Sequence, residues 1–154
     1  MITITRIDER LIHGQVAYAW AVAYKSDAIL AVDNVIANDS FQKSLLQMAA
    51  PTGVKCFILT EDKAVEFLKK YEKKKIFIVV KNPETLVNLF YKGIKFESIN
   101  VGGLYFKEGR RQLYKTVYVD EKLEKDLRIL DELGVVLDVR ATPSDTSQNL
   151  IELL

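Results

Sequence analysis

The stretch IFIVVKNPETLVNLFYKGIKFESINVGG, Ile76 to Gly103, decides the class of fold. Ile76 to Val80 is an unbroken run of β-branched and aromatic residues and reads as a strand. Asn82 then supplies a capping side chain, Pro83 stands at the first helical position, and Gly93 lies just past the last turn. Ser98 to Val101 returns to strand composition, and a double glycine follows at Gly102 and Gly103. Strand, helix and strand with short connections form one unit of a parallel sheet.

The same rhythm extends in both directions. Further strand candidates are Ile2 to Ile7, Ala28 to Val32, Lys55 to Leu59, Thr116 to Val119 and Val135 to Val139. Thr3 and Thr5 make the first of these more polar than a central strand usually is. Between strands, Phe41, Leu45, Met48 and Ala49 share one helical face behind a cap at Asp39 or Ser40. Leu123, Leu127, Leu130 and Leu133 form a second stripe, closed by Gly134. The final SQNLIELL reads as a short helix. Gly102 to Tyr118 breaks the rhythm, and a strand there is free to run antiparallel. With no repeat, linker or low-complexity tract, residues 1–154 read as one domain of the α/β class, a mostly parallel sheet with helices on both faces.

Composition narrows the function. The chain has 22 basic and 21 acidic residues, a balance that argues against neutralising a nucleic-acid backbone. The basic run KKYEKKK, Lys69 to Lys75, falls where a helix should end and reads as ordinary dipole partners. Cys56 is alone, so an internal disulfide is excluded; with no leader pattern ahead of ITITRID, a reducing cytoplasm is expected. The longest apolar run, Val16 to Tyr24, is far short of the roughly 20 residues that span a bilayer. That run is apolar nearly all round and reads as a buried core helix in preference to a docking surface.

The only histidine, His13, lies in RIDERLIHGQV, Arg6 to Val16. In open α/β sheets the reactive crevice lies beyond the carboxyl ends of the strands, and this segment follows the first strand. Gly14 should let the backbone approach closely, and Gln15 begins a helix whose N–H groups point back at the loop. A helix start flanked by Arg6 and Arg10 attracts anions, phosphate above all, and the imidazole occupies the anion's place. A lone histidine on a surface turn is usually incidental; the two arginines, the glycine and the helix start weigh against that. One His and one Cys cannot make a zinc site, and there is no nucleophile elbow, Walker loop or dinucleotide fingerprint. The double glycine is at least as consistent with turn chemistry as with a site. Asp8 and Glu9 at a strand end invite comparison with a receiver domain, but FILTED delays its acids past Thr60, beyond the end of the third strand, and INVGG has no lysine.

RIDERLIHGQV closely resembles the phosphorylation segment of the IIB components of the mannose, fructose and sorbose family of the bacterial sugar phosphotransferase system. The likeness continues through LLQMAAPTGVK, NVGGLYFKEGRRQ, VDEKLEKDLRILDELGVVLDVRATPSD and LIELL, which is essentially the whole chain. The resemblance implies an open sheet of seven strands, mostly parallel, with an antiparallel strand near one edge. It also implies a phosphocarrier enzyme without metal or cofactor. The histidine, His13 by position, takes phosphate from a IIA protein. It passes it to a mannose-, fructose-, sorbose- or N-acetylgalactosamine-class sugar carried by membrane IIC and IID proteins. The alternative is a non-catalytic binding or receiver-like regulatory domain on the same fold. For the phosphocarrier, Arg10 is the expected holder of the phosphoryl oxygens and Arg6 the second choice, since a strand residue can point away. Asp8 is expected to orient the imidazole or, in preference, to brace Arg10; Gly14 and Gln15 are expected to bind phosphate, and Asn100, Gly102 and Gly103 to wall the site. His13 is expected exposed on a protruding loop, with Arg6, Arg10, Lys81 and Lys107 on its rim to steer an acidic IIA face.

Overall fold

The computed structural model describes residues 1–154. In chain order the elements are β1 (Ile2–Asp8), α1 (Gly14–Ala23), β2 (Ala28–Val32), α2 (Ser40–Met48), β3 (Lys55–Leu59), α3 (Glu61–Lys70) and β4 (Ile76–Val80). There follow α4 (Pro83–Tyr91), β5 (Ser98–Gly103), β6 (Arg111–Tyr114), β7 (Val117–Val119), α5 (Glu121–Glu132), β8 (Val136–Val139) and β9 (Gln148–Asn149). Side-chain oxygens of Asp39, Thr60, Asn82 and Asp120 cap α2, α3, α4 and α5, so each helix starts where a local acceptor meets its free N–H groups.

The main sheet has seven strands in the order β3-β2-β4-β1-β5-β8-β9. All neighbours are parallel except β9, which runs antiparallel beside β8 at one edge. The expected strand at Thr116 to Val119 is not part of this sheet: it pairs antiparallel with β6 in a separate ribbon. The seventh main-sheet strand is instead β9, cut from the segment expected to be helical. Only Leu150–Leu153 keeps a single 3-10 turn, with Asn149 capping Ile151 and Leu150 fully buried. Two residues of pairing cover the backbone edge that β8 would otherwise expose.

Burial differs between the faces. Helices α3, α4 and α5 press Leu68, Leu86, Leu89, Leu127 and Leu130 onto one face within a cluster of 26 buried residues. On the other face, α1 and its leading loop bury Leu11, Ile12, Ala17, Trp20 and Ala21 against Ile29, Ala31, Ile58, Phe77 and Val79, a cluster of 11. The expected all-round burial of α1 is not found, because Tyr18 and Val22 face outward. Nor is the stripe on α2 buried: Phe41 and Met48 are 71% and 81% exposed, and no α2 residue is buried. Thr3 is tolerated in a central strand because its hydroxyl pairs with Ser26 at 2.6 Å and donates to the Ile76 carbonyl at 3.2 Å. Past α1, the same face of β1, β5 and β8 opens as a cleft of about 510 Å³ lined by Tyr24, Asn100, Asp138 and Arg140 among others.

Candidate functional site

Strand β1 ends in Asp8, and the chain must turn sharply to begin α1. Leu11 makes that turn at φ 57°, an uncommon angle for a branched residue. Its N–H donates to the Asp8 carbonyl at 2.9 Å, and burial of Leu11 and Ile12 pins the loop. His13 follows at the N-cap position with an extended backbone and makes no side-chain capping bond. Gly14 has φ 40°, and its N–H donates to the Ala49 carbonyl at 3.3 Å. A Cβ on Gly14 would meet nothing within 4 Å. The glycine is therefore needed for its backbone angle, not for the close approach expected of it.

Asp8 is the centre of the charge arrangement and is wholly buried. Its carboxylate accepts from Arg6 Nη2 at 3.1 Å, from the Arg10 backbone N–H at 3.0 Å and from the Tyr105 hydroxyl at 3.2 Å. The Arg10 guanidinium stands farther off, Nε at 3.5 Å, and His13 Nε2 at 3.7 Å. Asp8 thus contacts Arg10, the residue it was expected to brace, but holds the Arg6 guanidinium more closely.

Arg6 does not lie on the rim. It points into the site, is 2% exposed, and donates through Nη1 to Asn100 Oδ1 at 2.6 Å and to the Arg140 carbonyl at 3.2 Å. The reason lies in β5, which pairs Arg6 with Asn100. A Cβ on Gly102 would fall 1.8 Å from Arg6 Nη1, and one on Gly103 would fall 2.6 Å from the Asp8 carboxyl. The two glycines are strand residues whose missing side chains make room for the ion pair; turn chemistry does not explain them. Asn100, Gly102 and Gly103 do wall this cluster. Arg10 is half-exposed and rests its guanidinium 4.5 Å from the centre of the Tyr105 ring.

Tyr105, Arg110, Trp20 and Arg140 belong to the cluster and were not singled out from the sequence, and Glu9 was weighed only as part of a receiver-like pocket. Glu9 accepts from the Tyr105 N–H at 2.7 Å, from Arg110 at 2.9 and 3.0 Å, and from Lys107 at 3.2 Å, tying the end of β1 to the loop after β5. Burial raises the Glu9 carboxyl, but these donors outweigh it and hold the group below its ordinary value. Tyr105 is pushed up to about 12 by burial and by Asp8, so its phenol stays a proton donor. The only signals were a tyrosine two places past the double glycine and an unusual pair of arginines. Lys107 is exposed as expected, whereas Lys81 is partly buried past the end of β4.

His13 itself is not on a fully protruding loop. Its side chain is 23% exposed, and both ring nitrogens are covered yet have no hydrogen-bond partner. Burial, chiefly, holds its pKa below the ordinary 6.5; Arg10 and Arg6 push the same way, and Asp8 opposes them. The site therefore offers a neutral, unbonded imidazole beside two guanidinium groups, which suits attack on an anionic electrophile.

The chain matches the family model described as "PTS system sorbose subfamily IIB component" over residues 2–154. It is 38% identical over 153 residues to the sorbose-specific EIIB component of Lacticaseibacillus casei, covering 98% of this chain and 93% of that one. It is 33% identical to the mannose-specific EIIAB component of Escherichia coli (strain K12), covering all of this chain and 48% of the longer protein. The crystal structure of the IIBSor domain of the sorbose permease from Klebsiella pneumoniae superposes with a TM-score of 0.93 at 34% identity, covering 99% of this chain and 95% of that one. The chain belongs to the sorbose-subfamily IIB components of the phosphotransferase system.

Proposed function

We propose that this IIB component carries a phosphoryl group on His13, taken from a phosphohistidine of a IIA protein and delivered to a sugar hydroxyl held by the membrane IIC and IID proteins. The observation that carries this reading is the unbonded imidazole at the start of α1, next to Arg6 and Arg10, with its pKa lowered chiefly by burial. The A and B parts share one chain in the mannose-specific relative, which supports a IIA partner. No helix of this chain is long and apolar enough to cross a membrane. In this reading the chain works at the cytoplasmic face of the membrane partner that receives the phosphate.

Asp8 lies on the Nε2 side of the ring, which favours the ring proton there and leaves the Nδ1 lone pair for attack. The new P–N bond forms as the P–N bond on IIA breaks and its electron pair returns to the donor imidazole. Arg10 swings from the Tyr105 ring onto the phosphoryl oxygens, Arg6 supplies fixed positive charge from below, and Gly14 and Gln15 present the start of α1. In the second step a sugar hydroxyl attacks phosphorus as the P–N bond breaks, the hydroxyl proton passes to water, and the imidazole leaves neutral with its Nε2 proton in place. The acceptor is a hexose-class sugar of the kind the relatives' names span. Its choice rests with the membrane partners, since the sorbose- and mannose-named relatives are nearly equally similar, at 38% and 33%.

The test is phosphorylation by the general phosphotransferase proteins, a cognate IIA and phosphoenolpyruvate. The expected product is an acid-labile, base-stable phosphoprotein, with no uptake by His13→Ala. A base-labile acyl phosphate would move the acceptor to Asp8 and restore the receiver-like reading.

A further inference from the structure

Arg6 is seated more elaborately than an ion pair with Asp8 requires. Its Nη1 is held by Asn100 Oδ1 at 2.6 Å and by the Arg140 carbonyl at 3.2 Å, and its guanidinium carbon lies 5.1 Å from the centre of the Trp20 ring. The Arg140 guanidinium carbon lies the same 5.1 Å from that ring. Two like charges against one indole are unfavourable unless each is neutralised nearby. Asp138 supplies the second anion: its Oδ2 accepts from Arg140 Nε at 2.8 Å and from Asn100 Nδ2 at 3.1 Å. That second bond orients the Asn100 amide, whose nitrogen is engaged by Asp138 so that its oxygen must face Arg6. The charges therefore alternate along one chain of contacts, Asp8, Arg6, Asn100, Asp138, Arg140. The far end is anchored as well, because Arg140 also donates to the Tyr24 hydroxyl at 3.1 Å and to the Pro143 carbonyl at 3.3 Å, while Trp20 Nε1 donates to the Ala141 carbonyl at 3.3 Å.

We propose that Trp20, Asp138 and Arg140 are positioning residues that hold Arg6 in place for phosphoryl transfer. The proposal rests on His13 being the phosphoacceptor. A phosphoryl group arriving at His13 competes for the positive charge that Asp8 now holds. An arginine secured by Asp8 alone would be drawn out of its seat as that pairing loosens. Arg6 has three other fixed contacts, so its guanidinium stays where the moving charge develops and no ordering is needed at the moment of reaction. Arg10, half-exposed and resting on Tyr105, is the mobile partner, and Arg6 the fixed one. This division also accounts for the open cleft over β5 and β8: an apolar helix laid there would displace Asp138 and Arg140, which face into it.

The experiment is single-turnover transfer from phosphorylated IIA to the full chain, read as a maximal rate and as the IIA concentration giving half of it. Four proteins are compared: wild type, Arg140→Met, Arg6→Lys and the double variant. Displacements near 1 Å in a reacting site cost up to about 10²-fold. Arg140→Met should therefore lose roughly tenfold or more in maximal rate, with the half-saturating IIA concentration unchanged. In the Arg6→Lys background the same change should cost nothing further, since there is no guanidinium left to position. Asp138→Asn, which keeps shape and removes charge, should show the same pattern if Arg140→Met folds poorly. Trp20 is the only tryptophan, so its emission should change in Arg140→Met and Arg6→Lys before any phosphate is added. Additive losses in the double variant, or a wild-type maximal rate in both Arg140→Met and Asp138→Asn, would overturn the positioning role while leaving His13 phosphorylation intact. A wild-type chain that takes up no phosphate on His13 would remove the function itself, and the positioning role with it.

Discussion

On the α3–α4–α5 side the sheet is sealed by an apolar cluster of 26 buried residues that reaches from β2 to β8. On the α1 side the cluster has 11 residues and gives way at β1 to Arg6, Asn100, Asp138 and Arg140. The difference shows how a small domain accommodates a buried guanidinium. Such a group is strongly disfavoured in an apolar interior unless each donor finds an acceptor and its charge a counter-charge. Desolvation does press on Arg6, whose pKa falls below its ordinary value mainly through burial, against the pull of Asp8. The acceptors that offset this are Asp8 at the end of β1, Asn100 on β5 and the Arg140 carbonyl just after β8, gathered where the apolar cluster under α1 ends. Stability is concentrated on one face, which leaves the other able to hold charge.

The comparison breaks if the faces are not separable. The largest expected effect is on the sealed face. Leu127 on α5 is fully buried, and Leu127→Ala should cost roughly 2–5 kcal/mol of unfolding free energy in a denaturant titration. Transfer to His13, per folded molecule, should remain at the wild-type rate. A transfer rate that falls in step with stability would mean that the two faces act as one.

Gly102→Ala reverses the pattern. Its Cβ would need the space of Arg6 Nη1, 1.8 Å away, and the guanidinium or β5 must shift. Transfer should drop by up to about 10²-fold, while stability falls by less than for Leu127→Ala, about 1–3 kcal/mol for an overpacked site. Unchanged transfer kinetics would show that the seat of Arg6 is slack.

What could be read in advance follows the range of the interactions. The bounds of α4, Pro83–Tyr91, follow from Asn82, Pro83 and Gly93, all local in the chain. The parallel core strands are continuous apolar runs and declare themselves. β9 does not, since Gln148 and Asn149 carry no strand signal and pair only because β8 presents an open edge. The outward stripe of α2 shows the complementary failure, for a helical period gives a face without saying what covers it. His13 stood out as the sole imidazole at a helix start. The inward turn of Arg6 depends on β5 lying beside β1 and on a glycine 96 positions away in sequence, at Gly102. Glu9 and Arg110 are likewise joined only by the fold, through 101 residues of chain.

The smallest expected effect concerns the charges around His13 themselves. Its pKa lies below 6.5 because of burial first, with Arg10 and Arg6 adding to the effect and Asp8 opposing it. On the proposed reading the neutral imidazole is the nucleophile, so the rate of uptake should fall on the acid side as the ring takes a proton, with the midpoint of that limb below 6.5. Asp8→Asn removes the larger of the two influences that favour the protonated ring, the Leu11 backbone being the other. The proton is then held less tightly, and the acid limb should move to still lower pH. The height of the plateau should also fall, because Arg6 loses its carboxylate, but the position of the limb is what reports the charge on His13. Asp126 on the sealed face provides the matched control. It too is buried, at 5% exposure, and is paired with Lys122 at 2.9 Å. Asp126→Asn should therefore leave the limb where it stands in wild type. Phosphorylated IIA has a pH dependence of its own, common to all three proteins, so differences between them belong to this chain. A limb in Asp8→Asn at or above the wild-type position would show that Asp8 acts on His13 by shape and not by charge. A limb that moves equally in Asp126→Asn would assign the shift to the whole fold and erase the distinction between the faces.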